Sequence, residues 1–269
     1  VAPVVGRAYR WADGIAAVSD GVADDLAATT GLPRAAVTTV YNPVVTPALA
    51  ARAGEPPPHP WLGDGGPPVI LGAGRLVPAK DFPLLLEAFA RLRARRPARL
   101  LILGEGRERG RLEALARDLG IARDLALPGH VENPYVAFAR ADLFVLSSEY
   151  EGLSMVLIEA LACGCPVVST DCPSGPAEVL EGGRYGGLVP VGDAEALAGA
   201  MARTLDDPLP RADLRRRGEA FGVSRAAARY LELLLPRGDA RSGAPEGRDS
   251  RETAGGVPVS ATARPSDRR

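Results

Sequence analysis

The residues with the clearest chemical potential in this sequence are two glutamates, Glu151 and Glu159. They lie in the stretch EYEGLSMVLIEALACGCPVVSTD, residues 149–171. After Gly152, apolar residues recur at the three-and-four spacing of a helix that buries one face. The first turn of such a helix has backbone N–H groups without partners, and it lies at the positive end of the helix dipole. The pattern therefore predicts an anion-binding helix start between two carboxylates.

The spacing of the two carboxylates indicates which anion fits. Eight helical residues span about 12 Å, and Gly152 has no side chain to keep a phosphate away from the backbone. A carboxylate on each side can accept hydrogen bonds from hydroxyls, so the pattern describes a nucleotide sugar. The alternative is a glutamate that complements the helix dipole and a solvent-facing Glu159. Two glutamates alone would favour that alternative, but the residues around them favour a ligand.

The elements that must position this motif are short apolar runs alternating with helical patterns. The predicted strands are residues 69–73, 100–103, 125–127, 143–146, 167–170 and 188–191, and the predicted helices between them are residues 82–96, 111–119, 134–139, 153–163 and 176–180. This alternation predicts an α/β fold with a doubly wound parallel sheet. Ligands bind such sheets at the carboxyl ends of the strands, so the loops after the strands are the candidate site.

The loop after the first of these strands, GRLVPAKDF, contains Arg75 and Lys80. Arginine can bind a diphosphate through two parallel hydrogen bonds, and lysine adds a mobile point charge. Lys80 is the only lysine among 32 basic residues, which suggests that a compact ammonium is needed there. Two cations in a loop are commonly just solvated, but their position at the end of a strand favours a role in binding anions.

The next two loops offer weaker candidates. Gly104 and Gly106 follow the second strand, but their spacing is not that of a dinucleotide-binding fingerprint. A tight turn that lets a ligand approach the backbone is the plainer interpretation. His130 follows the third strand, where it either lies against a nucleotide base or forms a hydrogen bond within its loop. Tyr135 and Phe138, one helical turn apart, are predicted to lie in the core.

The composition excludes several classes of function. The chain has 269 residues and a net charge of −1, so nothing in its charge suggests nucleic acid as a partner. No apolar run approaches the roughly 18 residues of a membrane span, and no signal peptide opens the sequence. The three cysteines, Cys163, Cys165 and Cys172, lack a histidine pair at metal-ligand spacing. We therefore expect a cytoplasmic protein with small buried cysteines and no metal site.

The chain as a whole divides into five segments. Residues 1–45 contain a predicted strand at 12–19, a helix at 20–30 and a strand at 37–42, too little to bury a core alone. Residues 46–67 are a predicted Pro-rich linker with a solvated His59. Residues 68–207 form the predicted ligand-binding domain. Helical patterns at 193–205 and 211–235 follow, the latter within a helical segment at 208–236, and residues 237–269 are a predicted disordered tail.

The stretch around Glu151 resembles the second-domain signature of the family 4 retaining glycosyltransferases, the glycosyl transferases group 1, which have the GT-B fold. In that family two glutamates separated by seven residues, the first followed by glycine, bind the donor. Members commonly have an aromatic residue where this chain has Leu153. Many bacterial members that build surface or lipid-linked glycans have arginine where it has Ala177. The first difference bears on the fit around the sugar, and the second removes any contact that the arginine makes.

The resemblance implies a role for each matching position. Glu151 would hold hydroxyls of the transferred sugar, Glu159 would hold the ribose, and Arg75 and Lys80 would neutralise the leaving diphosphate. With Glu151, these two cations are the expected catalytic residues. The remaining expected donor-binding positions are Gly74, Gly104, Gly106, His130, Gly152, Leu153 and Ser154.

The resemblance also implies the reaction and the domain context. We expect a sugar to pass from a nucleotide diphosphate sugar to a hydroxyl of a surface or lipid-linked glycan, with retained configuration, no metal or further cofactor, and a peripheral position at the membrane. The fold would be the Rossmann-like donor-binding half of GT-B, with residues 1–45 a remnant of a truncated first domain and the last helix crossing back to it. The alternatives are a nucleotide-sugar-binding fragment without transfer activity and a GT-B sugar-nucleotide epimerase.

Overall fold

A computed structural model describes residues 6, 8–9 and 11–235 of the chain. Its larger sheet has six parallel strands in the order β5-β4-β3-β6-β7-β8. The strands are β3 (Val69–Ala73), β4 (Arg99–Leu103), β5 (Leu125–Gly129), β6 (Leu143–Leu146), β7 (Val167–Thr170) and β8 (Gly187–Val189). The predicted doubly wound parallel sheet is thereby confirmed. The predicted disordered tail, residues 237–269, lies outside the described residues.

Helices cover both faces of this sheet. They are α3 (Phe82–Arg93), α4 (Arg109–Asp118), α5 (Tyr135–Arg140), α6 (Met155–Ala162), α7 (Pro176–Val179), α8 (Ala194–Asp206) and α9 (Arg211–Glu219). Alternate residues of a strand enter different cores: Ile70 packs with α3, α4 and α8, whereas Leu71 packs with α5, α6 and α9. Strands buried on both faces explain the nearly continuous apolar runs of the sequence.

The N-terminal part is a strand–helix–strand unit. It consists of β1 (Ile15–Ala17), α1 (Asp20–Thr30) and β2 (Val37–Thr39), and the two strands pair in parallel. The α1 bounds are those predicted, because Ser19 caps the first turn and Gly31 ends the helix with φ of 70°. Both strands are shorter than predicted. The unit has its own small core, and it forms one compact body with the six-stranded domain.

Residues 46–67 pack against the domain more closely than the linker prediction implied. They form α2 (Pro47–Arg52) and a 3-10 turn at Pro60–Leu62, and Leu49 and Leu62 are buried in the main core. The His59 ring meets the Trp61 ring edge-on at 4.7 Å, and burial lowers the pKa of His59. His59 is therefore partly buried rather than fully solvated. Single apolar residues among prolines gave no periodic signal for this packing.

The pattern predicted as one helix at 211–235 forms two helices, α9 and α10 (Val223–Leu234). The break occurs because Phe221 is buried in the core and its carbonyl accepts hydrogen bonds from the Val44 and Val45 N–H groups, both at 3.1 Å. This tertiary anchor overrides the helical periodicity. Among the described residues, no helix combines the length and the apolar character that crossing a membrane requires.

Candidate functional site

The site lies where the sheet reverses its winding. From β3 the chain adds β4 and β5 on one side, then returns to place β6, β7 and β8 on the other. Crossovers on opposite sides leave a crevice at the carboxyl ends of β3 and β6, where ligands of open α/β sheets bind. The loops that follow these strands contain Arg75, Lys80 and Glu151.

Lys80 and Glu151 form the most enclosed ion pair of this crevice. Lys80 Nζ lies 2.5 Å from Glu151 Oε1, with 21% and 10% of the two side chains exposed. The Ser148 hydroxyl donates a 2.8 Å hydrogen bond to the same carboxylate oxygen, and Thr170 Oγ1 donates to the Ser148 carbonyl at 2.7 Å. Within the described chain, Glu151 Oε2 accepts no hydrogen bond. That oxygen is therefore open to a ligand hydroxyl.

A cavity of about 400 Å³ is lined by Gly74, whose backbone lies near the Lys80 side chain. It contains five of the predicted site residues: Gly74, Arg75, Gly104, His130 and Glu159. The other lining residues, none of which was a predicted ligand contact, are Ala73, Leu103, Glu105, Val131, Pro134, Phe138 and Val156. The predicted residues Lys80, Gly106, Glu151, Gly152, Leu153 and Ser154 are not part of the lining.

Gly74 connects the residues that line the cavity with the Lys80–Glu151 pair. Its backbone lies against the Lys80 side chain, since a Cβ at Gly74 would be 3.6 Å from Lys80 Cε. Arg75, the next residue, is exposed and lines the cavity. Arg75 has no carboxylate partner among the described residues, so its guanidinium is available to an anion. Both predicted cations thus lie at the carboxyl-terminal edge of the sheet, as the two glutamates do.

Glu159 lines the cavity from α6 and is partly buried there. Burial raises the pKa of its carboxyl, and the Tyr135 hydroxyl opposes the shift to a smaller extent. Burial also raises the pKa of Tyr135. Tyr135 was expected in the core, yet it is only partly buried against the core, where its hydroxyl affects the pKa of Glu159. The two residues come from different helices, so no sequence spacing could have linked them. Phe138 is buried as predicted.

The glycines after β4 allow two loops to approach closely. A Cβ at Gly104, where φ is 137°, would lie 1.9 Å from the Gly74 carbonyl oxygen, and one at Gly106 would lie 2.3 Å from that of Leu76. No side chain fits in these spaces. Gly104 also faces the cavity, whereas Gly106 only packs against the β3 loop. The tight-turn interpretation therefore describes the geometry of both residues.

The helix that contains Glu159 begins later than predicted. α6 starts at Met155 rather than after Gly152, and Leu153 is buried in the core. The helix is delayed because Gly152 and Leu153 pack against residues from other segments. Ser154 is the N-cap, but its side chain does not cap the helix, and its buried hydroxyl has no partner among the described residues. The first-turn N–H groups of α6 are thus uncapped by Ser154.

His130 is exposed at the cavity and forms no side-chain hydrogen bond within the described part of the chain. The intra-loop interpretation of this histidine therefore finds no support. The cysteines are buried free thiols, as expected. Burial raises the pKa of Cys163 to about 12 and that of Cys172 to about 11.

With this geometry established, the chain can be placed among known proteins. The family model "Glycosyl transferases group 1" matches residues 59–221, more than half of the chain. The chain belongs to the glycosyl transferases group 1 family. The matched span contains Arg75, Lys80, Glu151 and Glu159 and every strand of the larger sheet.

Two relatives of this chain come from bacteria. An N-acetylgalactosaminyltransferase of Campylobacter jejuni, named as acting on N-acetylgalactosamine-N,N'-diacetylbacillosaminyl-diphospho-undecaprenol, is 39% identical over 138 residues, 51% of this chain and 37% of its own length. The lipopolysaccharide core biosynthesis glycosyltransferase LpsE of Rhizobium meliloti is 39% identical over 151 residues, 56% of this chain and 43% of its own length. The chain thus spans less than half of these relatives.

Solved structures support the fold. The lipopolysaccharide outer core galactosyltransferase WaaB aligns with a TM-score of 0.68 at 25% identity, covering 84% of this chain and 62% of its own. Anabaena HepE, solved in complex with UDP, aligns with a TM-score of 0.69 at 21% identity, covering 84% of this chain and 64% of its own. The Rossmann-like domain of GT-B type is thereby confirmed.

Proposed function

We propose that this chain supplies the nucleotide-sugar site of a family 4 retaining glycosyltransferase, which transfers a sugar to a hydroxyl of a surface or lipid-linked glycan. The observation that carries the proposal is the arrangement at the sheet reversal. There Gly74 connects the Lys80–Glu151 pair with a cavity that Arg75 and Glu159 line. The names of the relatives, which include a diphospho-undecaprenol-linked acceptor and lipopolysaccharide core synthesis, support the acceptor class.

Each part of the donor has a counterpart in this arrangement. Glu151 Oε2 accepts from a hydroxyl of the transferred sugar, and Glu159 accepts from the ribose. The diphosphate lies by Arg75, Lys80 and the N-terminus of α6. His130 lies beside the base. The complex of HepE with UDP supports a nucleotide diphosphate as the ligand class.

The proposed catalysis depends on stabilising the negative charge that develops on the leaving group. As the glycosidic bond breaks, charge accumulates on the leaving diphosphate, and Arg75, Lys80 and the α6 dipole stabilise it more than they stabilise the bound donor. Lys80 is paired with Glu151 before the donor binds, so the ammonium is already held at the site. Two cationic side chains fill the role that a metal ion has in other nucleotide-sugar enzymes.

The proposed setting is the cytoplasmic face of a membrane, where a peripheral enzyme would meet a lipid-linked acceptor. A second candidate is a nucleotide-sugar-binding fragment without transfer activity. This second candidate is favoured by the fact that the chain spans less than half of each relative's length. Groups that position the acceptor can come from the part of the relatives that this chain does not span.

The test combines binding and transfer. We expect calorimetry of the 269-residue chain with UDP-, GDP- and ADP-linked sugars to show binding of at least one class. A lipid-linked glycan and a radiolabelled donor then distinguish the candidates: label in the glycan supports the transferase, and binding without label supports the fragment. Isomerised donor without any acceptor would instead indicate an epimerase. Failure of all three classes to bind would refute every one of these functions.

A further inference from the structure

Residues 151–154, which we call the donor loop, are held between two segments that are distant in sequence. On one side lie residues 18–22, at the junction of β1 and α1. On the other side lie residues 173–178, which lead into α7. The donor loop includes Glu151 and ends at the N-cap of α6, so whatever holds it also sets the position of the proposed sugar contact.

Ser19 provides the first of these contacts. It is fully buried, and its hydroxyl has two roles. Ser19 Oγ donates a 2.6 Å hydrogen bond to the Gly152 carbonyl and accepts one of 3.1 Å from the Val22 N–H. The residue that caps α1 therefore also anchors the donor loop. Val18 and Val22 lie against Gly152, where a Cβ would be 3.8 Å from a methyl carbon of each valine.

The second segment supports the opposite side of the donor loop. Gly175, with φ of 97°, packs so closely that a Cβ there would lie 3.2 Å from Leu153 Cα and 3.3 Å from the Ser154 nitrogen. The Glu151 N–H donates a 3.3 Å hydrogen bond to the Pro173 carbonyl. The backbone conformation at position 175 favours glycine, and a Cβ there would press against the donor loop.

Glu178 ties the two holding segments together. Its carboxylate accepts hydrogen bonds from the Gly21 N–H at 2.7 Å and the Asp20 N–H at 2.8 Å. A carboxylate at the N-terminus of α1 is stabilised by the helix dipole. Arg217 fixes α7 in turn, by donating to the carbonyl oxygens of Glu178 and Val179.

We propose that Ser19 and Glu178 are positioning residues for nucleotide-sugar recognition. They hold the first turn of α1 against the donor loop and so fix Glu151 and Gly152 relative to the sugar and the diphosphate. The inference rests on the proposed function. It makes residues 18–22, which lie outside the span matched by the family model, part of the donor site.

Binding experiments on the full chain test this role. Loss of one buried hydrogen bond in Ser19→Ala should weaken binding of the nucleotide sugar about tenfold. The matching nucleoside monophosphate does not reach the donor loop, so its affinity for the chain should fall by less than twofold. The probes are UDP-, GDP- and ADP-glucose with UMP, GMP and AMP, measured by calorimetry. Glu178→Ala should act in the same direction, and Ser19→Thr, which keeps the hydroxyl, should restore affinity.

Asp193→Ala is the matched control. Asp193 caps α8 by accepting from the Ala196 N–H at 2.8 Å, so this variant loses a helix cap that does not contact the donor loop. Both affinities should stay at the wild-type value. If Ser19→Ala loses no affinity, or loses it equally for the nucleotide sugar and the monophosphate, the positioning role is wrong.

Amide hydrogen exchange separates this inference from the proposed function. We expect Ser19→Ala to speed exchange in residues 151–154 at least tenfold and Asp193→Ala to leave it unchanged. If the wild-type chain binds no nucleotide sugar, the proposed function fails and exchange alone decides whether Ser19 positions the donor loop. Equal exchange in Ser19→Ala and the wild type would overturn the inference in either case.

Discussion

At the scale of single residues, the site depends on charges held in a partly enclosed crevice. Water screens the attraction between Lys80 and Glu151 less than it screens an exposed ion pair, because little of either side chain faces water. The pair also uses only one of the two Glu151 oxygens. One residue thus supplies a partner for the cation and an acceptor for a ligand.

Replacing Lys80 by methionine tests the role of the cation. Lys80→Met removes the positive charge proposed to stabilise the leaving diphosphate, and we expect the transfer rate to fall by about a hundredfold or more. The measurement is kcat with the donor that the chain binds. Arg95→Met is the control, because Arg95 forms an exposed pair with Glu195. A Lys80→Met rate within threefold of wild type would contradict the proposed role.

The raised pKa of Glu159 gives a pH-dependent prediction. Because burial raises the pKa in the folded state, the folded chain binds more protons at this group than the unfolded chain. The contribution of Glu159 to stability is therefore lost as pH rises from the ordinary glutamate pKa through its raised value. We expect Glu159→Gln to raise the melting temperature of the ligand-free chain at pH 8, with a smaller difference at pH 5.

The exposed Glu195 offers a comparison for this measurement. Glu195→Gln removes a carboxylate that pairs with arginines at the surface, so it should show no gain at pH 8. A Glu159→Gln melting temperature that lies equally far from wild type at both pH values would show that burial of the carboxylate is not the cause.

At the scale of elements, the site depends on loops packed closely enough to exclude side chains. Gly104 is the most constrained position, because a Cβ there would overlap the Gly74 carbonyl. Gly104→Ala should lower the free energy of unfolding by about 3 kcal/mol. Gly110, in α4, has open space where a Cβ would lie, and Gly110→Ala should be neutral or stabilising. Urea unfolding compares the two, and equal stability would contradict the packing described for Gly104.

Much of the element pattern could be predicted, for identifiable reasons. β3, β6 and β7 have the predicted bounds because they are short apolar runs buried on both faces. The start of α6 and the break at Phe221 were missed, because both depend on contacts with distant segments. Spacing locates the carboxylates, but it does not reveal that Glu151 pairs with Lys80 or that Tyr135 meets Glu159.

At the scale of the whole molecule, the described chain is a Rossmann-like domain with a strand–helix–strand unit packed on its donor loop. The alternation of strands and helices predicted the domain, and the resemblance of its motifs to a known family predicted the family. The same resemblance assigned the N-terminal unit to the acceptor-side domain, and the structure connects this unit to the donor loop through Ser19 and Glu178. That connection crosses more than 130 residues of sequence, and no local pattern reports it.

The most direct test of the central claim is the structure of this chain bound to the nucleotide diphosphate it prefers among UDP, GDP and ADP. We predict a diphosphate beside Arg75, Lys80 and the first turn of α6, with the ribose hydroxyls on Glu159. A nucleotide bound elsewhere, such as in the larger groove of about 630 Å³ between Tyr41 and Arg225, would contradict this claim.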